Sequence, residues 1–252
     1  MECTSQTNPF GYQGRFTGDR KALLIADNGA AIVNTTRYPA DVNLQSTFAE
    51  VIVEATGAAN ATLKRTYSGL QYENGNLNFA VTGGYDEQKK WLQNYIDIPS
   101  FNISSFSMKN MKTKVPSAII TAELAMDRFA NVSGKRIFLT PNLMNRNNFA
   151  PEKMEERKTE IVRKMAYIDA DTIRYKLPED IYPEFLPENV QIKSSFGEYE
   201  ATFSVEQGKL VYIRKIKMNT GTFPASSYKE MVDFYRAISK ADNTKMVFMS
   251  KT

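Results

Sequence analysis

Tyr199-Glu-Ala-Thr-Phe-Ser-Val205, Glu206-Gln-Gly-Lys209 and Leu210-Val-Tyr-Ile-Arg-Lys-Ile-Lys-Met218 form the stretch that decides the fold. Both arms alternate between apolar and polar residues, the period of a strand with one buried face. Gly208 in the connection supplies the positive φ that a tight hairpin turn needs. Downstream, Ser227 and Glu230 have the spacing of a capping box, Ser at the N-cap and Glu three residues on. Met231, Phe234, Tyr235 and Ile238 then give a helix its apolar side, and Lys245-Met-Val-Phe-Met reads as a closing strand.

Upstream the same style recurs. Glu160 to Ile168 and Thr172 to Lys176 read as strands, and Leu177-Pro-Glu-Asp and Leu186-Pro-Glu-Asn as turns. Phe101 to Met111, Ser117 to Met126 and Lys135 to Leu139 are further strands, with a turn cluster at Asn131 to Gly134. Thr62 to Tyr72 reads as one long strand, and Phe48 to Thr56 alternates with Glu50 and Glu54 on the face of Phe48 and Ile52. Leu23-Leu-Ile-Ala and Ala31-Ile-Val-Asn-Thr-Thr, either side of Asp27-Asn-Gly, read as a hairpin. One helix interrupts these runs: Asp86 to Ile96 follows Gly83-Gly84, starts acidic and carries Trp91, Leu92, Tyr95 and Ile96 on one stripe.

Strands in runs, without β-α alternation, imply a mainly β fold: β-sandwich-type antiparallel sheets with about two peripheral helices. Residues 141 to 158, amide-rich and then densely charged, read as a linker or long surface loop. The expected division is 1–28, 29–147 and 148–252, the last two free to share one core.

The chain has 252 residues, 42% of them hydrophobic, and a net charge of +4. That is a globular composition whose charge balance does not call for nucleic acid. There is no histidine and one cysteine. Ser-His-Asp and Cys-His catalysis within the chain, intrachain disulfides, and histidine or multi-cysteine zinc sites are therefore excluded. No apolar run of membrane-spanning length is present, and the first nine residues lack the pattern of a signal peptide.

Few residues remain that could carry chemistry. Asp169 and Asp171 flank Ala170 and share a face if extended, the arrangement of calcium ligands or an acid–base pair. A solvated strand end or turn is the preferred reading, because Asp is common there. Gly83-Gly84 before a helix could receive an anion, but Asp86 and Glu87 would repel it. The 15 Phe and 13 Tyr fit either a core or a platform for sugars or peptides. Sequons at Asn34, Asn60, Asn102 and Asn131 read as chance occurrences. Cys3, in a polar opening without a base, reads as an inert thiol. No cofactor or metal is expected.

Two stretches carry a family resemblance. Glu2-Cys-Thr-Ser-Gln-Thr-Asn-Pro-Phe-Gly-Tyr, followed by Gly18-Asp-Arg-Lys-Ala-Leu-Leu-Ile, resembles the end of the transglutaminase-like core in a group of bacterial proteins. Phe196-Gly-Glu-Tyr, Tyr212-Ile-Arg-Lys, Gly221-Thr-Phe-Pro, Tyr228 to Tyr235 and Ala241-Asp-Asn resemble that group's C-terminal β-rich domain of unknown function. The resemblance implies a cysteine nucleophile and a histidine upstream, with Glu2 at the third, usually aspartate, triad position. The longer arm of glutamate displaces the carboxylate there, and Cys3 matches the residue after the acid, not the nucleophile. It also implies a periplasmic or envelope location and the upstream core as partner. The expectation is a non-catalytic C-terminal β region. The alternative is a free-standing glycan- or peptide-binding module with aromatics on one sheet face. A glycosidase-type enzyme using carboxylates alone ranks third.

Overall fold

The computed structural model describes residues 5, 7–206 and 209–251. In chain order the strands are β1 (Lys21–Ala26), β2 (Gly29–Asn34), β3 (Leu44–Val53) and β4 (Ala59–Ser68). A 3-10 segment (Gly69–Asn76), a single turn α1 (Leu77–Ala80) and helix α2 (Tyr85–Tyr95) follow. Then come β5 (Asn102–Met111), β6 (Ser117–Met126), β7 (Asn131–Ser133), β8 (Arg136–Leu139), β9 (Ile161–Arg163) and β10 (Tyr167–Lys176). The chain continues with β11 (Ile181–Phe185), β12 (Val190–Ser194), β13 (Gly197–Glu206), β14 (Lys209–Met218) and β15 (Gly221–Phe223), and ends with α3 (Tyr228–Asp242) and β16 (Met246–Ser250). Among the described residues the fold is mostly β, built from several sheets with three helices and no barrel.

The main sheet has eight strands in the order β12-β13-β14-β10-β3-β4-β6-β5. Every pairing in it is antiparallel except one: β10 lies parallel to β3, with Ile173 opposite Ala49. The sheet is thus two four-stranded antiparallel halves, one from each part of the chain, joined along a parallel seam. Segments 29–147 and 148–252 contribute adjacent strands and one apolar cluster. A four-stranded sheet, β11-β16-β8-β7, shares that cluster and again mixes both segments, since β8 pairs with β16.

Alternation sets the two faces of the main sheet. Ala61, Leu63 and Tyr67 of β4, Ile120, Ala122 and Leu124 of β6, and Leu210, Tyr212 and Ile216 of β14 are buried. The helices lie on this inner face: Tyr85 of α2 stacks on Phe106 at 4.8 Å, and the Asp242 carboxylate at the end of α3 accepts a bond from Tyr199. On the outer face Phe48, Ile52 and Ile213 stay exposed.

Three local expectations are corrected. The long strand predicted to Tyr72 ends at Ser68, because Gly69 turns the chain at φ +55 while Leu70 N–H donates to Asn43 Oδ1. A Cβ at Gly69 would lie 2.6 Å from that oxygen, so only glycine fits the turn. The capping box at Ser227 does not form: Ser227 Oγ donates to Pro224 O, and Glu230 accepts from Ser194 Oγ and from Ser195 N–H and Oγ. The reciprocal bond occurs instead at α2, where Gly84 N–H donates to Glu87 Oε2 at 3.0 Å. Finally, residues 141–158 are not simply a surface loop: Pro141 to Met144 are buried, and Asn145 reaches Asp171 and Arg65 on the inner face of the main sheet. Gly208 lies outside the described residues.

Candidate functional site

β10 places Asp169 and Asp171 on one face, as their spacing requires, but that face is the inner one. The solvated strand end is corrected by Asp171, which is 2% exposed. It stands in a row across the centre of the sheet, running Arg65, Thr47, Asp171, Arg214 from β4 to β14. The row crosses the parallel seam between Thr47 and Asp171.

Every charge in this row meets a partner. Arg214 Nη1 donates to Asp171 Oδ2 at 3.1 Å. Its Nε and Nη2 form a two-pronged pair with Asp242 Oδ1 and Oδ2, at 2.8 and 3.0 Å. Asp242 ends α3, where the helix dipole disfavours a carboxylate. The guanidinium, Tyr199 OH and Asn147 N–H offset that by donating to its two oxygens. Asn145 is the hub. Its Nδ2 donates to Asp171 Oδ1 at 2.6 Å and Thr47 Oγ1 at 3.3 Å, and its Oδ1 accepts from Arg65 Nη2 at 2.8 Å and Gln45 Nε2 at 3.3 Å. Those partners sit on both sides of the seam.

Burial works against the charge of Arg214, but the Asp242 and Asp171 carboxylates outweigh it and hold the guanidinium above its ordinary pKa. Burial pushes the Tyr199 and Tyr212 hydroxyls up, so both stay protonated. Asp169 differs. Burial raises its carboxyl to about 6, against the pull of Arg214, and Asp171 raises it further. Gln71 Nε2 donates to Asp169 Oδ1 at 2.6 Å. Arg214 thus pairs directly with both Asp171 and Asp242, whereas Arg65 bonds to the neutral Asn145 amide.

Chemically this is a lock. Both oxygens of Asp171 and of Asp242 are occupied by donors inside the protein. Among the described residues no group of three or more His, Cys, Asp or Glu is placed to hold a metal ion. At the start of α2 the anion position is filled by the Glu87 carboxylate. Glu2 and Cys3 lie outside the described residues. Of the aromatics on the main sheet, Tyr67, Phe106, Tyr167, Tyr175, Tyr199, Phe203 and Tyr212 face inward, and Phe48 faces out beneath Arg174 at 5.5 Å.

Two of the grooves that reach the surface flank these elements. One, of about 900 Å³, runs from Ile52 and the Glu50–Lys209 ion pair to Leu177, Ile181, Pro183 and Leu186. The other, of about 680 Å³, lies between the segment before β3 and the β9–β15 ribbon, and is lined by Arg15, Arg20, Arg37, Arg163 and Lys164 with Asp19. The sequence did contain a signal for the lock. Arg214 occupies the parity of Leu210, Tyr212, Ile216 and Met218, and Arg65 that of Leu63 and Tyr67. A charge in an apolar register marks a buried pair.

With this geometry in hand, residues 135–248 match a family described as a Domain of Unknown Function with a solved structure (DUF3858). The match covers less than half of the chain. It takes in β10 to β14 and α3 and stops at the seam, leaving β3 to β6 outside. No curated protein matches the chain. The crystal structure of "a putative protease from Parabacteroides distasonis" aligns at 15% identity and a TM-score of 0.34, covering 39% of this chain and 19% of that one. Baculovirus p35 aligns at 9% identity and a TM-score of 0.18, covering 82% of this chain and 96% of that one.

Proposed function

We propose that this chain is the non-catalytic C-terminal β region of a transglutaminase-like protein, with a scaffold or interaction role beside an upstream core in the periplasm or cell envelope. The observation that carries this reading is the closure of the Asp171–Arg214–Asp242 cluster. A catalytic carboxylate must offer an oxygen to substrate, and Asp171 and Asp242 offer none. The absence of histidine from the sequence and the match of residues 135–248 to a domain family of unknown function support the same reading.

The intact mass of the endogenous protein tests it. A mass well above 28.5 kDa, with a cysteine and a histidine upstream of Glu2, is the expected result. A mass near 28.5 kDa would sink the proposal.

A second reading, a peptide- or glycan-binding module, is favoured by the 900 Å³ groove, whose apolar wall ends at the Glu50–Lys209 pair. Saturable binding on peptide or glycan arrays that Ile52→Asp abolishes is its expected signature.

A further inference from the structure

We infer that the β1–β2 hairpin is an insertion blade, seated as two strands in the sheet of the adjoining transglutaminase-like core and covered there on both faces. The inference rests on the reading above. Among the described residues β1 and β2 pair only with each other. One face of the ribbon carries Leu23, Ile25, Ala30 and Ile32, and the other Ala22, Leu24, Ala31 and Val33. Leu23, Leu24, Ile25 and Ile32 are 61%, 53%, 77% and 67% exposed. From Ala22 to Val33 the one charge is Asp27, in the turn.

A strand lying on the surface alternates apolar and polar residues. Strands buried on both faces read as unbroken apolar runs, and Ala22-Leu-Leu-Ile-Ala and Gly29-Ala-Ala-Ile-Val are such runs. The outer edges of β1 and β2 also leave backbone N–H and C=O groups free to extend a sheet. A two-stranded ribbon is marginal by itself in water. Its root, however, is fixed. Thr35 N–H donates to Arg20 O, Asp19 N–H donates to Thr36 O, and Arg37 pairs with Asp19 at 2.7 Å. The blade is thus anchored at its root, and among the described residues nothing covers either face.

Area decides the occupant. Six residues at about 3.3 Å each, in two strands about 4.8 Å apart, give a face of roughly 200 Å². A second copy stacked on one face would fall far short of the ~800 Å² per partner of a stable complex, and would leave the other face wet. Covering both faces and an edge at least doubles the area. Counted on both sides, that reaches the lower range of domain interfaces within one chain, about 600–1,500 Å².

Amide hydrogen exchange on the endogenous protein tests the inference. The expected result is that residues 22–33 exchange as slowly as β3 and β4. Leu24→Asp and Ile25→Asp, on opposite faces, should each speed exchange there at least tenfold. Leu24→Ala and Ile25→Ala serve if the charged variants fail to accumulate. Exchange in seconds in a protein of high mass overturns the blade and leaves the proposed function standing. Protection in a 28.5 kDa protein that sediments as a dimer assigns the blade to a second copy and overturns both. Sensitivity to a variant on one face alone overturns two-sided insertion.

Discussion

The row Arg65–Thr47–Asp171–Arg214 and the β1–β2 hairpin both invert the ordinary distribution of polarity. The first puts charges in the interior, and the second puts apolar side chains in water. They differ in where the compensation lies. The row is neutralised within the fold by Asp242, and Asn145 satisfies its hydrogen bonds. The hairpin has nothing on either face within the described residues. An inversion compensated internally belongs to the architecture. One left uncompensated points outward, to a partner. In the row the position of the seam gives the inversion a purpose. The halves meet along a parallel pair, and a one-residue slip would turn every side chain of β10 to the other face. Asn145 bonds to Gln45, Thr47 and Arg65 on one side and Asp171 on the other, so it is satisfied in one register alone.

Arg214→Met should have the largest effect. It leaves Asp171 and Asp242 buried without their cation, and removing one member of such a pair costs about 3–5 kcal/mol. Chemical denaturation should show a loss of that size, or no folded protein. A loss below about 1 kcal/mol would mean that water reaches the row.

Asn145→Ala comes next, at about 1–3 kcal/mol, the usual cost of orphaning buried donors and acceptors. Arg65 Nε already lacks a partner, so removing the bond at Nη2 weakens an already under-satisfied guanidinium. The denaturant midpoint should fall while the slope stays constant. A steeper or shallower slope would show the halves separating, and would contradict a single cooperative sheet.

Asp169→Asn should move stability the other way. In the fold the carboxyl is raised from 3.8 to about 6, chiefly by burial. The native state therefore binds its proton more tightly than the unfolded chain does. The contribution of Asp169 is fully present below pH 3.8 and is lost as pH rises through about 6. Asparagine mimics the protonated form and can still accept from Gln71. Thermal melts should show the variant more stable at pH 7, by on the order of 1 kcal/mol after solvent screening, and equal to the parent at pH 4. A gap of the same size at both pH values would mean that Asp169 does not titrate.

Much of this was legible in the sequence, and the boundary of legibility is physical. Alternation placed β13, β14, β5 and β6, because period 2 is a local property. It also put Asp169 and Asp171 on one face. Which face they shared depends on Arg214, forty-three residues on, and on Asp242 at the end of a helix. The parity of Arg214 within β14 carried that information, and so does Asp242, four residues after buried Ile238 on α3. Asn145 carried none: an amide in an aperiodic segment has no register to betray it. The Ser227–Glu230 pair misled for a related reason. Spacing shows that a bond can form, and Ser194 and Ser195, remote in sequence, took the carboxylate first.

The smallest expected effect separates the two inversions most cleanly. Ile32 is 67% exposed and Val33 is 37% exposed, and neither face of their strand is covered. Changing Ile32 to Thr keeps the β-branch that suits a strand and removes apolar surface that the chain itself does not bury. The stability of the 252-residue chain should change by no more than about 0.5 kcal/mol, as for other exposed sites. Solubility should rise, because the apolar patch shrinks. In a larger parent protein the same change buries a hydroxyl, and the cost should grow to about 1–3 kcal/mol for an unpaired polar group. The row should be indifferent to this context, since Arg214→Met removes a partner that both forms supply internally. A variant series whose hairpin effects grow with context while its row effects stay fixed would separate surface made for a partner from framework made for the fold. Equal hairpin effects in both contexts would return β1 and β2 to the solvent.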